Sequence, residues 1–123
     1  MLGIEKLEKA KQILHQHLSE LIETIKFEPK LARIHVILRD KVEFFIRYNN
    51  HNEYSYSITF SKAELDRCRF DNYDHKWDVH SSPHHLHPRK QLEAVSSEMI
   101  GIPDKDIVQL CKLIKSGKIY KIS

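Results

Sequence analysis

The segment Pro83-His84-His85-Leu86-His87-Pro88 packs three histidines into four positions between two prolines. Proline fixes φ near −65° and stiffens the backbone around it. In extended chain, side chains alternate, so His85 and His87 share one side and His84 takes the other. Upstream lies Arg67-Cys68-Arg69-Phe70-Asp71-Asn72-Tyr73-Asp74-His75. If that stretch is a strand, Arg69 and Asp71 share a face by the same rule. Imidazole titrates near pH ~6.5 when unperturbed, so a pair of imidazoles can act as acid and base near neutrality.

Three kinds of chemistry fit these residues. The first is metal-free cleavage of RNA. It needs a base at the 2′-hydroxyl, an acid at the leaving 5′-oxygen and a cation on the phosphate. The catalytic candidates are His75, His84, His85 and His87, with Asp71 to orient an imidazole and Arg69 as the cation. Arg67, Arg89, Lys90, Asn72 and Trp77 are the candidates for holding the RNA; Arg33 and Arg47 are further cations. The second is metal chemistry. An HxH pair with a third His or Asp, as in the His84/His85/His87 cluster, is an acceptable ligand set for zinc or another divalent ion. No HExxH and no paired-carboxylate motif accompanies it, so the first expectation is that no cofactor is used. The third is a non-enzymatic module in which the histidine segment is a docking surface for RNA or a protein.

The whole sequence bounds these choices. With 123 residues, 41% of them hydrophobic and 30% charged, it matches a single soluble domain spanning 1–123. No apolar run reaches the ~18–20 residues of a membrane span. The charged start, MLGIEKLEKAKQ, lacks the apolar core of a secretion signal. The expected location is the cytoplasm, with no membrane partner. Net charge is +3, weakly basic. Cys68 and Cys111 form no CxxC pair and are expected as small buried side chains rather than a disulfide or a four-Cys zinc site.

The elements that must position the site are legible as changes of period. Residues 3–26 carry apolar residues at helical spacing, from Ile4 and Leu7 to Ile22 and Ile25, and predict an N-terminal helix within 1–28 closed by Pro29. His15 and His17 lie off its apolar stripe. From Lys30 the period is two, and strands are predicted over 30–39, 42–48, 54–60 and 67–72, within a sheet region of 30–96. Asp40-Lys41 and Asn49–Asn52 are the turns. The Tyr54/Tyr56/Ile58/Phe60 side reads as core. Residues 73–90 hold five of the nine histidines and the single tryptophan, and predict a long irregular loop. Residues 91–96 are a candidate fifth strand. Pro103 opens a C-terminal helix over 103–117, with Asp104 and Asp106 in its first turn and Gly117 as its stop. Lys118–Ser123 is expected as an edge strand that RNA or a partner could use. The fold class is α+β: an antiparallel meander of four to five strands with both helices on one face.

The pattern Arg69-Phe70-Asp71-Asn72, then His75, then Pro83-His84-His85-Leu86-His87, resembles the TumE family of toxins from two-gene toxin–antitoxin modules. Tyr54-Ser55-Tyr56 stands where that family has a tyrosine-rich strand, and the likeness covers about residues 40–115. Asp74 and Lys76 depart from it, at positions where the family often has proline and a second histidine. The resemblance implies a growth-inhibiting endoribonuclease held silent in a complex with an antitoxin, commonly a helix-turn-helix protein. It carries over to Asp71, Asn72, His75, His84, His85 and His87, with Arg69 beside them.

If two imidazoles share the proton transfers, the cleavage rate should follow a bell with limbs bracketing about pH 6–8. A flat profile from about pH 5.5 to 8.5, with chemistry rate-limiting, would count against histidine acid–base catalysis.

Overall fold

The computed structural model describes residues 1–73 and 79–122. Among them are two α-helices and seven strands. The order is α1 (Gly3–Leu18), β1 (Ile22–Glu28), β2 (Arg33–Leu38), β3 (Glu43–Tyr48), β4 (Tyr54–Thr59), β5 (Arg67–Asp71), β6 (His85–His87), β7 (Val95–Ser96) and α2 (Pro103–Lys115). The strands form one antiparallel sheet in sequence order, β1 to β7. The α+β meander is as expected, but it has seven strands rather than four to five.

The two extra strands come from segments whose period is blurred. Residues 22–28 were expected inside the first helix, yet α1 ends at Leu18 and Ile22–Glu28 pairs with β2. A register shift between Ile22 and Thr24 breaks the alternation there. As a result, Leu18, Ile22 and Ile25 mimic helical spacing. The residue types, Ile22, Thr24, Ile25 and Phe27, are strand formers. Pro29 does not close a helix. It starts a 3₁₀ turn, Pro29–Leu31, that leads through Ala32 at φ 53° into β2. The second extra strand is His85–His87, which lies within the segment expected as loop. Lys118–Lys121 is a 3₁₀ turn rather than an edge strand. Ile119 is buried there, and the Tyr120 carbonyl accepts a bond from Arg89 Nη1 at 2.9 Å, so this segment belongs to the body of the fold.

Alternation sorts each strand into two faces. On β2 and β3 every second residue is buried: Ile34, Val36 and Leu38, then Phe44, Ile46 and Tyr48. Tyr54, Tyr56, Ile58, Cys68 and Phe70 continue this face. They meet Leu7, Ala10, Leu14 and Leu18 of α1 and Ile107, Leu110, Cys111 and Ile114 of α2 in one core. Both cysteines are free and buried, and burial pushes their thiols up to about 12 for Cys68 and about 11 for Cys111. Gly3 lets the start of α1 approach the sheet: a Cβ there would lie 2.7 Å from the Tyr48 carbonyl oxygen.

Polar atoms on the helix side are bonded in a chain. The Tyr48 and Tyr56 hydroxyls are 2.7 Å apart, and Tyr56 donates to Asp106 Oδ2 at 2.7 Å. Asp106 is wholly buried in the first turns of α2 and also accepts the Ile100 and Gly101 amides, the latter at 2.6 Å. A carboxylate there satisfies two amides of the segment that leads into the helix. Burial pushes the Tyr48 and Tyr56 phenols far above their ordinary range, so both stay protonated donors. Asp106→Ala should cost roughly 3 kcal/mol and Tyr56→Phe about 1 kcal/mol in urea unfolding. An unchanged midpoint for Asp106→Ala would show that this carboxylate does not tie α2 to the sheet.

Candidate active site

The other face of the sheet carries the polar residues, and strand register lines them up in rungs, two of which run into the site. One runs Arg33, Arg47, Ser55, Asp71, His85 and Ser96 from β2 to β7. The next runs His35, Phe45, Ser57, Arg69 and His87 from β2 to β6. The β5–β6 pairing therefore sets Asp71 opposite His85 and Arg69 opposite His87. Four residues of one predicted cluster meet at one point because both strands alternate in phase.

Asp71 is the centre of this cluster. Its Oδ1 lies 2.8 Å from His85 Nδ1, and its Oδ2 lies 3.8 Å from His87 Nε2. The Nε of Arg69 contacts the same Oδ2. The rings of His85 and His87 meet edge to face, with centroids 5.2 Å apart. Exposure divides the roles. Asp71 and His85 have 0% of their side-chain surface exposed, whereas His87 has 16% and Arg69 has 42%. Only His87 and Arg69 of the four can touch a substrate. They open into a small surface pocket lined also by Arg67, Leu65, Pro88, Gln91 and Leu92. Two guanidiniums and an imidazole around one pocket suit a phosphate.

The same groups bear on metal binding. One ligand atom each from Asp71, His85 and His87 lies within 4.8 Å of the others. The set expected from the sequence, His84 with His85 and His87, is not brought together. His84 is on the opposite side of the strand, where its Nδ1 is 2.9 Å from the Tyr54 hydroxyl. That hydroxyl also donates to the Met99 carbonyl.

A family model described as Toxin TumE matches residues 9–116. The chain belongs to this toxin family. A toxin of this kind implies a cognate antitoxin as its partner. No curated protein and no solved structure matches the chain. Among the described residues, no helix is long and apolar enough to cross a membrane.

The remaining predicted site residues are distributed as follows. Arg67 is exposed on β5 beside Arg69 and lines the pocket. Asn72 accepts the Tyr54 amide at 3.0 Å and donates to the Asn52 carbonyl, so it joins the β3–β4 turn to the end of β5. Arg89 faces away from the pocket. It pairs with Asp66, at 2.5 Å, and stacks over the Phe60 ring at 4.2 Å. Lys90 is exposed and adopts φ 63°. His75 and Trp77 lie outside the described residues. Tyr48, Tyr54 and Tyr56 are core. Sequence reasoning did not single out Ser55 as the neighbour of Asp71, or Arg47 as the next residue along the same rung. Only strand register supplies that, and it is not visible in one strand's pattern.

The Arg89 and Ser61 side chains both donate to Asp66 and hold its carboxyl below the ordinary carboxylate range. Because the folded value is depressed, this contribution to stability is complete above the unfolded value near ~3.9 and is lost as pH falls through the folded one. Arg89→Met should therefore lower the urea midpoint at neutral pH, with the difference from wild type shrinking below about pH 4. A difference that persists undiminished in acid would assign the effect to packing on Phe60 instead.

Proposed function

We propose that this toxin is an endoribonuclease that cleaves RNA by imidazole chemistry, with the phosphate seated between Arg67, Arg69 and His87. The observation that supports the reading is the wholly buried Asp71 carboxylate, ringed by Arg69, His85 and His87 and set behind the Arg69 and His87 that line a cationic pocket. Buried ion networks contribute little net stability compared with apolar packing, so such a cluster at a surface pocket points to chemistry.

In this reading His87 takes the proton from the 2′-hydroxyl. The 2′-oxygen attacks the adjacent phosphorus, the bond to the 5′-oxygen breaks as that oxygen takes a proton from a second group, and a 2′,3′-cyclic phosphate is left. Arg69 and Arg67 hold the phosphate oxygens as charge builds on them. Asp71 orients Arg69 and His87 together, and His85 fixes Asp71 from within the sheet. His85 is then a positioning residue, not the second group in contact with RNA. His75 is the sequence's remaining candidate for that second proton transfer. Growth inhibition would follow from loss of RNA, and the antitoxin, read as a helix-turn-helix protein, would silence the toxin in a complex in the cytoplasm.

The Asp71/His85/His87 spacing favours one second reading, a divalent ion held by these three. Arg69 already places a positive charge on Asp71, which makes the metal-free reading the stronger.

His87→Ala should lower cleavage of total RNA by ~10²–10⁴-fold, the range for a lost acid or base. Arg69→Lys should also lower it, since an ammonium cannot copy a two-pronged guanidinium contact. His15→Ala and His51→Ala, both exposed elsewhere, should leave it near wild type. Circular dichroism must show each variant folded. Cleavage that survives EDTA supports the metal-free reading, and cleavage abolished by EDTA and restored by one divalent ion supports the second. Full activity in folded His87→Ala would remove this pocket as the reactive centre.

A further inference from the structure

We propose that the open sheet face from Phe45 and Arg47 to Arg69 is a track for single-stranded RNA, carrying the nucleotides next to the phosphate in the pocket. The occupant rests on the endoribonuclease reading above; the track itself is a separate surface. It begins two strands away from the pocket, about 10 Å at the usual strand spacing.

The shape comes from the two rungs. On β4, between β3 and β5, the rungs hold only Ser55 and Ser57. Ser55 is buried and Ser57 half-buried, so this strip lies low between taller groups on both sides. On the far side Phe45 is stacked on His35, with centroids 4.3 Å apart and planes 13° apart. The guanidiniums of Arg33 and Arg47 lie 5.0 and 5.7 Å from the Phe45 ring centre. Together they form a flat aromatic and cationic shelf. Unpaired bases stack on aromatic rings and on arginine planes without regard to sequence.

Charge points the same way. Arg33 is paired with Glu28 and His35 with Glu43. Arg47 and Arg67 contact no carboxylate among the described residues, so each can meet a phosphate. Tyr73, two residues past the end of β5, is 37% exposed. An aromatic shelf, a polar floor and cations at both ends match a strand of unpaired nucleotides. A protein partner would be expected to meet a more continuous apolar patch.

The test uses a fluorescent single-stranded RNA of about 8 nucleotides with 2′-O-methyl sugars, which cannot be cleaved through the 2′-hydroxyl. Binding is read by anisotropy between about 50 and 200 mM salt. Phe45→Leu keeps an apolar side chain but loses the ring, and should weaken binding by about 5- to 100-fold. Arg47→Glu should weaken it at least about tenfold and reduce the slope of log affinity against log salt by about 0.7. Lys112→Glu, an equal charge change on the exposed side of α2, should bind almost like wild type. The two readings fail separately. Should the toxin cleave no RNA yet bind this strand through Phe45 and Arg47, the track stands and the nuclease reading falls. Should it cleave RNA while folded Phe45→Leu and Arg47→Glu bind as Lys112→Glu does, the track is wrong. Loss of antitoxin binding in those variants, with RNA affinity intact, would likewise overturn it and make the face a protein-docking surface.

Discussion

A carboxylate stripped of water costs several kcal/mol unless opposite charge and hydrogen-bond donors replace the solvent. Asp71 is such a group, with none of its surface exposed, and much of the sheet's far edge is arranged around it. Arg69 must fold back along its own strand, and β6 must pair in the one register that presents His85 and His87. Serines are what the neighbouring strand can offer without crowding the guanidinium. Ser55 lies directly opposite Asp71 and is itself buried. The arrangement is a preorganised patch of positive charge over a fixed negative one, set on strands rather than loops, which is how a site keeps its geometry.

The sheet divides labour by alternation. One face is apolar and covered by α1 and α2, and the other is polar and open. Two wholly buried carboxylates, Asp71 and Asp106, mark the two faces. Asp106 sits under the helix layer and is satisfied by a phenol and amides, so its surroundings are fixed and structural. Asp71 is surrounded by groups that can carry or exchange protons and that reach solvent at His87 and Arg69. The difference in partners, more than the burial they share, separates the structural Asp106 from an acid set behind a surface pocket.

The two-residue period over 30–60 revealed β2, β3 and β4 with their turns, and Pro103 with its acidic first turn revealed α2. The same alternation put His85 with His87 on one side of their segment and Arg69 with Asp71 on one face of theirs. Several features were hidden for definite reasons. The bulge between Ile22 and Thr24 let a strand imitate a helix. A strand of three residues, β6, is too short to show a period among prolines and histidines. His85, ranked with His87 as a reactive group, is inaccessible, and burial of that kind depends on neighbouring strands and not on its own segment. Arg89 looked like an RNA contact by charge and position. Its partners, Asp66 and Tyr120, come from distant parts of the chain.

β6 has only three residues, and its ladder alone is a weak guide to phase. A slip of one position would turn His85 and His87 inward and bring Leu86 to the open face. His84, left out of the reactive cluster, prevents this. It is fastened to the hydroxyl of a core tyrosine, and its carbonyl accepts the Ser81 hydroxyl at 2.5 Å. The run of adjacent histidines thus works like a plug with one keyed pin. One imidazole fits the core and sets the phase, so that the other two emerge on the correct side.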